Sequence, residues 1–469
     1  MHTSRSHVFR GPLLAALLIT STAGCASSAQ QASRQQPTSA PSPARTLTAT
    51  GGINAVDQRA KPYLVLISLD GFKAEYLDRL DLPNLRRLAA RGARAKALVP
   101  VFPSLTFPNH YSLVTGLDPQ RHGIVGNRFY DPARKDTYVY TEQRTVTDGS
   151  WYGGEPIWVT AESQGMVAAC YFWPGSEAAI KGVRPTTFNS YTSGVTNEAR
   201  VKTVLSWLDE PIERRPHMIT LYFSELDEVS HTNPLEAPEV VKAAQSLDVA
   251  IGQLMDGIDR LQVRDQVYLL ITSDHGMVNT STAQTVRLDS ILDATEIASV
   301  DAGFSGPVAS LHISGGPDRA RLIRDRINAR VARGTAYLRQ DLPARYNYTS
   351  NPRIGDVVVV MDEGWTMSAS RPARAAAAPA TATEKPAAPT AKPAAERAPR
   401  ERYGAHGWDN AFPSMRALFL IAGPGIRQGV IVEEVRNVDV YPLMTELLQL
   451  RAATPIDGEA GRIHKLISK

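Results

Sequence analysis

Five continuous apolar runs set the strongest limit on how this chain can fold. They are Tyr63-Leu64-Val65-Leu66-Ile67-Ser68-Leu69 and the runs within MVAACYFW, MITLYFSE, QVYLLITSD and RALFLIAG. Unbroken runs of this length fit strands buried on both faces. Between them lie helical or loop segments. Pro83 to Arg91 (PNLRRLAAR) has apolar residues at helical spacing behind a leading proline, and EVVKAAQSLDVAIGQLMDGIDRL is a strong amphipathic helix pattern. Strands alternating with helices argue an α/β fold with a mostly parallel sheet covered on both faces. In that architecture ligands bind beyond the carboxyl ends of the strands. Asp70, Asp227, Asp274 and His275 fall at those ends, the first sign of a site.

The start of the chain reads as a leader. Arg5, His7 and Arg10 precede the apolar run PLLAALLIT, which exits through the small residues of STAGCASSA. This is a secretory pattern too short to span a bilayer comfortably. Cys25 after Thr22-Ala23-Gly24 resembles a bacterial lipoprotein processing site, although leucine is usual where Thr22 stands. Residues 1–25 are expected to be a signal peptide with Cys25 as a lipid-bearing new terminus. Plain cleavage nearby and an uncleaved anchor are the alternatives. The protein is therefore expected to be exported, as a periplasmic or membrane-anchored lipoprotein. The only other cysteine, Cys170, then has no disulfide partner and reads as a small buried hydrophobe.

Residues 26–60, rich in Ser, Gln, Ala, Pro and Thr, read as a flexible tether. A catalytic domain over 61–469 follows, interrupted at 368–400 by an Ala/Pro-rich insert expected to be a disordered surface loop. A net charge of +4 with no block of like charge argues against grip on a nucleic-acid polymer. Any phosphate chemistry would have to come from a local site.

Four short segments concentrate metal-type ligands: Asp70 in LISLDGF, Asp227 and His231 in ELDEVSH, Asp274 and His275 in TSDHGM, and His406 in GAHGWDN. Carboxylate and imidazole together suit zinc, and four-residue spacing places Asp227 and His231 on one face if their segment is helical. Alone, Asp70 fits a turn or helix cap, the D-x-x-x-H pair a solvated helix face, and His406 a structural histidine. Together, six ligands suggest two ions, a pair able to hold the attacking and leaving oxygens of a phosphoryl displacement. Thr106 lies between two prolines in VFPSLTFPNH, presented at a turn into the helix NHYSLVTG. Either it caps that helix, or metal coordination activates its hydroxyl as a nucleophile.

These segments, with HGIVGN, EPIW and WPGSE, resemble in kind and order the nucleotide pyrophosphatase/phosphodiesterase family of the alkaline phosphatase superfamily. The resemblance runs from about Pro62 to the carboxyl terminus. It implies an alkaline-phosphatase-like, mostly parallel sheet sandwiched between helices. It also implies two zinc ions, one bound by Asp227, His231 and His406 and the other by Asp70, Asp274 and His275. Thr106 would reach both metals as nucleophile, through a phosphothreonine intermediate, and Asn127 would donate a hydrogen bond to a nonbridging phosphate oxygen. Phe107 and Tyr191 match the aromatic pair that stacks on a nucleotide base, a contact that accepts any base. Core packing is the alternative for either ring, and a turn the alternative for Asn127. The expected reaction cleaves phosphodiester or pyrophosphate bonds of nucleotides and releases nucleoside monophosphates. A phosphomonoesterase, a phospholipid-headgroup diesterase and a non-enzymatic binding lipoprotein are the competing readings. One departure stands out: Ser230 replaces the glycine usual before His231.

Overall fold

The computed structural model describes residues 49–368, apart from Ser305, and residues 402–467. The leader with Cys25, most of the tether and the Ala/Pro-rich insert lie outside the described residues. All the described residues belong to one compact unit. None of its helices is long and apolar enough to cross a membrane.

The central sheet has eight strands: β1 (Tyr63–Leu69), β2 (Ala93–Val99), β3 (Ala168–Tyr171), β4 (Thr187–Asn189), β5 (Met218–Phe223), β6 (Val267–Thr272), β7 (Phe419–Ala422) and β8 (Val430–Arg436). Their order across the sheet is β8-β2-β7-β6-β1-β5-β3-β4. All neighbours run parallel except β7, which is antiparallel to β2 and β6. Each apolar run of the sequence supplies one strand. Every residue of β1, β5 and β6 is buried, because helices cover both faces at the centre of the sheet.

The principal helices are α1 (Pro83–Arg91), α2 (Thr106–Thr115), α3 (Asn197–Leu208), α4 (Glu225–Ser230), α5 (Pro238–Ile258), α6 (Gly316–Arg330) and α7 (Val440–Leu447). The apolar stripe of α5 packs against α1 and α3. Buried Asp248 on α5 also accepts hydrogen bonds from the backbone N–H of Asn84 and Leu85, at 3.2 and 2.8 Å. Those are two of the orphan donors that every helix start leaves open. Cys170 is fully buried in β3, and burial pushes its thiol pKa up, as fits a packed hydrophobe.

Two features differ from the sequence expectation. Residues 50–60 fall in the expected tether, yet they are bound to the body. Asn54 is 1% exposed, donates to the carbonyls of Ile212 and Arg215 and accepts from the Val167 N–H. Thr50 donates from its backbone and its hydroxyl to Glu162. Polar contacts of this kind leave no hydrophobic period to read. Second, Val300–Phe304, Val308–Ile313, Val357–Met361 and Gly334–Leu338 form a four-stranded antiparallel sheet in that order. Together with α6 it encloses a separate core around Leu311, Ile323, Ile327 and Val359.

Candidate active site

The ligand-type residues converge beyond the carboxyl ends of β1, β5 and β6. Asp70 follows β1 directly, and Asp274 and His275 follow β6. Asp227 lies in α4, and His231 just past its end; the His231 N–H donates to the Asp227 carbonyl at 2.9 Å. That helical turn sets the two side chains on one face, with His231 Nε2 3.3 Å from Asp227 Oδ2. His406 follows the short strand Tyr403–Ala405. Its loop is pinned by buried Trp408, whose Nε1–H donates to the carbonyls of Asp362 and Trp365. Gly71, at φ +69°, lets the chain turn after Asp70. A Cβ there would stand 3.2 Å from Asp227 Oδ1 and 3.1 Å from Met277 Cε, so only glycine suits both the turn and the approach.

The three imidazoles are oriented alike. Nδ1 of His231, His275 and His406 each lies 3.0 Å from a backbone carbonyl, of Gly404, Gly276 and Ser104 respectively. A carbonyl only accepts, so Nδ1 carries the proton and Nε2 keeps its lone pair. The Nε2 atoms face carboxylates: His275 Nε2 is 2.9 Å from Asp274 Oδ2 and 3.5 Å from Asp70 Oδ1, and His406 Nε2 is 3.6 Å from Asp227 Oδ1. Lone pairs thus meet lone pairs. Among the described residues, the buried oxygens Asp70 Oδ1, Asp227 Oδ1 and Asp274 Oδ2 have no hydrogen-bond partner. Buried carboxylates are costly unless paired, and this arrangement fits cations placed between them.

Ligand atoms of Asp227, His231 and His406 lie within 4.8 Å of one another, as do those of Asp70, Asp227 and His275, and of Asp70, His110 and Asp274. Asp70 thus joins the two halves of the cluster. Burial, and then the charges of Asp274 and Asp227, raise its pKa well above the usual carboxylate range. Burial also pushes Asp227 upward, but His231, His406 and His275 outweigh it and bring the carboxyl down to about 2. Asp274 is likewise lowered against its burial by His275 and His110. His406, stacked on His275 with ring centroids 3.6 Å apart, is lowered to about 3 by burial and then by His275.

Thr106 is the first residue of α2, three residues earlier than the helix start expected from the sequence. The earlier start is possible because Pro108 occupies the first turn, where a missing N–H costs nothing. Extended Leu105 holds the cap position, so the Thr106 hydroxyl does not cap the helix. It lies instead 3.4 Å from His275 Nε2. The approach loop is fixed by Asn109, which donates to the carbonyls of Pro103 and Leu105 and accepts from the Val101 N–H. Asn127 Oδ1 accepts the Phe107 N–H at 2.8 Å, which leaves its Nδ2 group as a donor.

A cavity of about 430 Å³ opens beside Thr106, Asp70 and Asp227. Phe107 and Tyr191 both line it. Phe107 is 8% exposed and its ring lies 5.3 Å from that of Tyr140, whereas Tyr191 is 42% exposed. The six ligand-type residues thus gather in one cluster beside Thr106, Phe107 and Tyr191 line the adjoining cavity, and Asn127 meets this region through the Phe107 N–H.

A family model described as type I phosphodiesterase / nucleotide pyrophosphatase matches residues 64–409. The chain belongs to this family. Venom phosphodiesterase CdcPDE of Crotalus durissus collilineatus is 34% identical over 86% of this chain and 46% of its own length. Human ectonucleotide pyrophosphatase/phosphodiesterase family member 1 is 35% identical over 87% of this chain and 42% of its own length. The chain thus spans less than half the length of these curated relatives. Among solved structures, murine ectonucleotide pyrophosphatase/phosphodiesterase 5 superposes with a TM-score of 0.75 at 27% identity, over 87% of this chain and all of that one. That structure is of an inactive threonine-to-alanine variant in complex with AMP. The fold of this phosphodiesterase-family member is accordingly of the alkaline-phosphatase type.

Sequence reasoning missed two supporting residues. His110, four residues after Thr106 on α2, lies 2.9 Å from the Thr106 carbonyl and 3.3 Å from Asp274 Oδ2 through Nδ1, and 2.7 Å from Ser68 Oγ through Nε2. Both nitrogens are engaged, Nδ1 at the Thr106 carbonyl and Nε2 at the Ser68 hydroxyl, so His110 ties the start of α2 to β1 beside Asp274. Tyr222 donates to Asp70 Oδ2 at 2.5 Å. Ser68 and Tyr222 are register partners on β1 and β5, so polar groups inside otherwise apolar strands were the available signal. The departure at Ser230 is harmless to this geometry: its hydroxyl folds back to donate to the Leu226 carbonyl at 2.7 Å.

Proposed function

We propose that this chain is a two-zinc hydrolase that cleaves phosphodiester or pyrophosphate bonds of nucleotides through Thr106 and releases nucleoside monophosphates. The observation that carries the proposal is the position of the Thr106 hydroxyl, uninvolved in capping, against a cluster of inward-facing imidazole lone pairs and unpartnered carboxylate oxygens. Asp227, His231 and His406 would hold one ion, and Asp70, Asp274 and His275 the other. When bound, the pair supplies positive charge that favours the ionised Thr106 hydroxyl at neutral pH and offsets charge on the leaving oxygen.

In the first step Thr106 Oγ1 forms a bond to phosphorus as the bond to the leaving oxygen breaks, giving a phosphothreonine that carries the nucleoside. Water then attacks the same phosphorus, and the bond to Thr106 breaks. Charge that builds on a nonbridging oxygen needs a fixed donor. The first turn of α2 offers little, because the Phe107 N–H is already given to Asn127 and Pro108 has none. Asn127 Nδ2 takes that role. Phe107 and Tyr191, on the wall of one cavity, receive the two faces of the base. The murine relative is solved in complex with AMP, which supports a nucleotide as the class of ligand. The leader read in the sequence is the ground for proposing export, with Cys25 as the proposed lipid attachment point.

The test compares hydrolysis of a nucleoside 5'-nitrophenyl diester, nitrophenyl phosphate and nitrophenylphosphocholine. The nucleotide diester is expected to be the preferred substrate. A preference of orders of magnitude for the monoester or the choline ester would overturn the substrate assignment.

A further inference from the structure

The substrate cavity is unusual in its charge. Among the described residues that line it there is no lysine or arginine, although its expected ligand is a phosphate ester. Four carboxylates line it: Asp70 and Asp227, already assigned to the metal cluster, and Glu177 and Glu228, which have no role so far. Glu177 is 7% exposed. Its Oε1 accepts the Tyr191 backbone N–H at 3.2 Å, and its buried Oε2 has no partner among the described residues. Glu228, exposed at the rim, accepts the Tyr191 phenol at 2.7 Å. Tyr191 is thus held at both ends by carboxylates. Arg200 lies behind the wall, its guanidinium 5.2 Å from the ring centroid of Phe172; it lines the neighbouring hollow rather than this one and donates to the carbonyls of Tyr222 and Val195.

We propose that Glu177 and Glu228 make this cavity a charge filter, admitting nucleosides that carry no further anionic group and rejecting those with a second phosphate on the ribose. The inference rests on the nucleotide phosphodiesterase reading above and specifies its substrate class. Cations at the metal cluster offset Asp70 and Asp227 and the one phosphate being cleaved. Nothing described in the cavity offsets a second phosphate, which would sit against two carboxylates in a partly desolvated space where like charges repel strongly. The unpartnered Glu177 oxygen favours the opposite kind of group, a hydrogen-bond donor on the ligand.

Dephospho-coenzyme A and coenzyme A test this directly, since they share one pyrophosphate bond and one leaving group and differ only in the ribose 3'-phosphate. Water cleaves each to 4'-phosphopantetheine, with AMP from the first and adenosine 3',5'-bisphosphate from the second. The expected kcat/KM ratio favours dephospho-coenzyme A by tenfold or more, and AMP inhibits more tightly than the bisphosphate by a similar factor. Glu177→Gln and Glu228→Gln keep an oxygen acceptor for Tyr191 while removing charge. Each is expected to raise the absolute kcat/KM for coenzyme A, E177Q by threefold or more, a gain that a damaged fold does not produce. Equal hydrolysis of the two coenzymes by the wild-type protein overturns the filter and leaves the phosphodiesterase reading intact. A wild-type preference that neither variant narrows overturns the assignment to these glutamates. Failure to cleave either coenzyme or the nucleoside nitrophenyl diester overturns the nucleotide reading, and the filter with it.

Discussion

Asn127 has two jobs, and two substitutions separate them. Its Oδ1 accepts the Phe107 N–H at 2.8 Å, and its Nδ2 is assigned to the phosphate oxygen. Asn127→Ala removes both. Loss of an oxyanion donor costs about 10²–10³ in kcat, or roughly 3–4 kcal/mol of transition-state stabilisation. The Phe107 N–H left without its acceptor costs a further ~1–2 kcal/mol of folding stability. For a domain of this size, with an unfolding entropy of roughly 2 cal/mol/K per residue, that is a drop of only about 1–3 °C in Tm. Asn127→Asp keeps the acceptor but replaces the donor with negative charge facing the phosphate. N127D should therefore match the wild type in Tm while losing at least as much activity as N127A. Steady-state hydrolysis of a nucleoside 5'-nitrophenyl diester and a thermal melt measure both quantities. Activity of N127A within about threefold of wild type would refute the donor role, and an active N127D would refute the charge argument.

Three further outcomes follow from the same geometry. Tyr222→Phe removes the hydrogen bond to Asp70 Oδ2 and should weaken metal retention by about 10–100-fold in chelator competition, as loss of an outer-shell partner does; unchanged retention would mean the bond is incidental. Gly71→Ala forces a Cβ toward Asp227 and Met277 at φ +69°, and should cost ~1–3 kcal/mol in urea unfolding together with a loss of bound metal. Burial lowers His122 to about 3 and His217 to about 4, so the unfolded chain binds protons that the native one does not. Stability is then present above pH ~6.5 and is lost as pH falls toward 4, each histidine removing at most about 1.4 kcal/mol per pH unit. His122→Gln should flatten that slope in urea titrations at pH 6.5 and 5, and an unaltered slope would count against the assignment.

The elements buried on both faces could be read directly from the chain. β1, β5 and β6 carry unbroken apolar runs, and α1 spans the very residues its spacing predicts. Asp70, Asp274 and His275 stood out because ionisable groups directly after such runs need a reason to be there. What escaped notice shares one property: it depends on partners distant in sequence. His110 is explained only by Asp274 and Ser68, and Tyr222 only by Asp70 across the sheet. Asn54 reads as tether until it meets Ile212, Arg215 and Val167. The antiparallel sheet pairs Val308–Ile313 with Val357–Met361 across α6, and no local pattern announces that pairing.

The proposed reaction turns on attack of Thr106 on phosphorus. Thr106→Ala, purified with its metals and assayed against a nucleoside 5'-nitrophenyl diester, tests it most directly, alongside metal analysis and mass spectrometry of acid-quenched wild-type enzyme. Turnover is expected to fall by about four orders of magnitude or more, with metal content unchanged and a nucleoside monophosphate adduct on the wild-type peptide containing Thr106. Hydrolysis by T106A at close to the wild-type rate would contradict it.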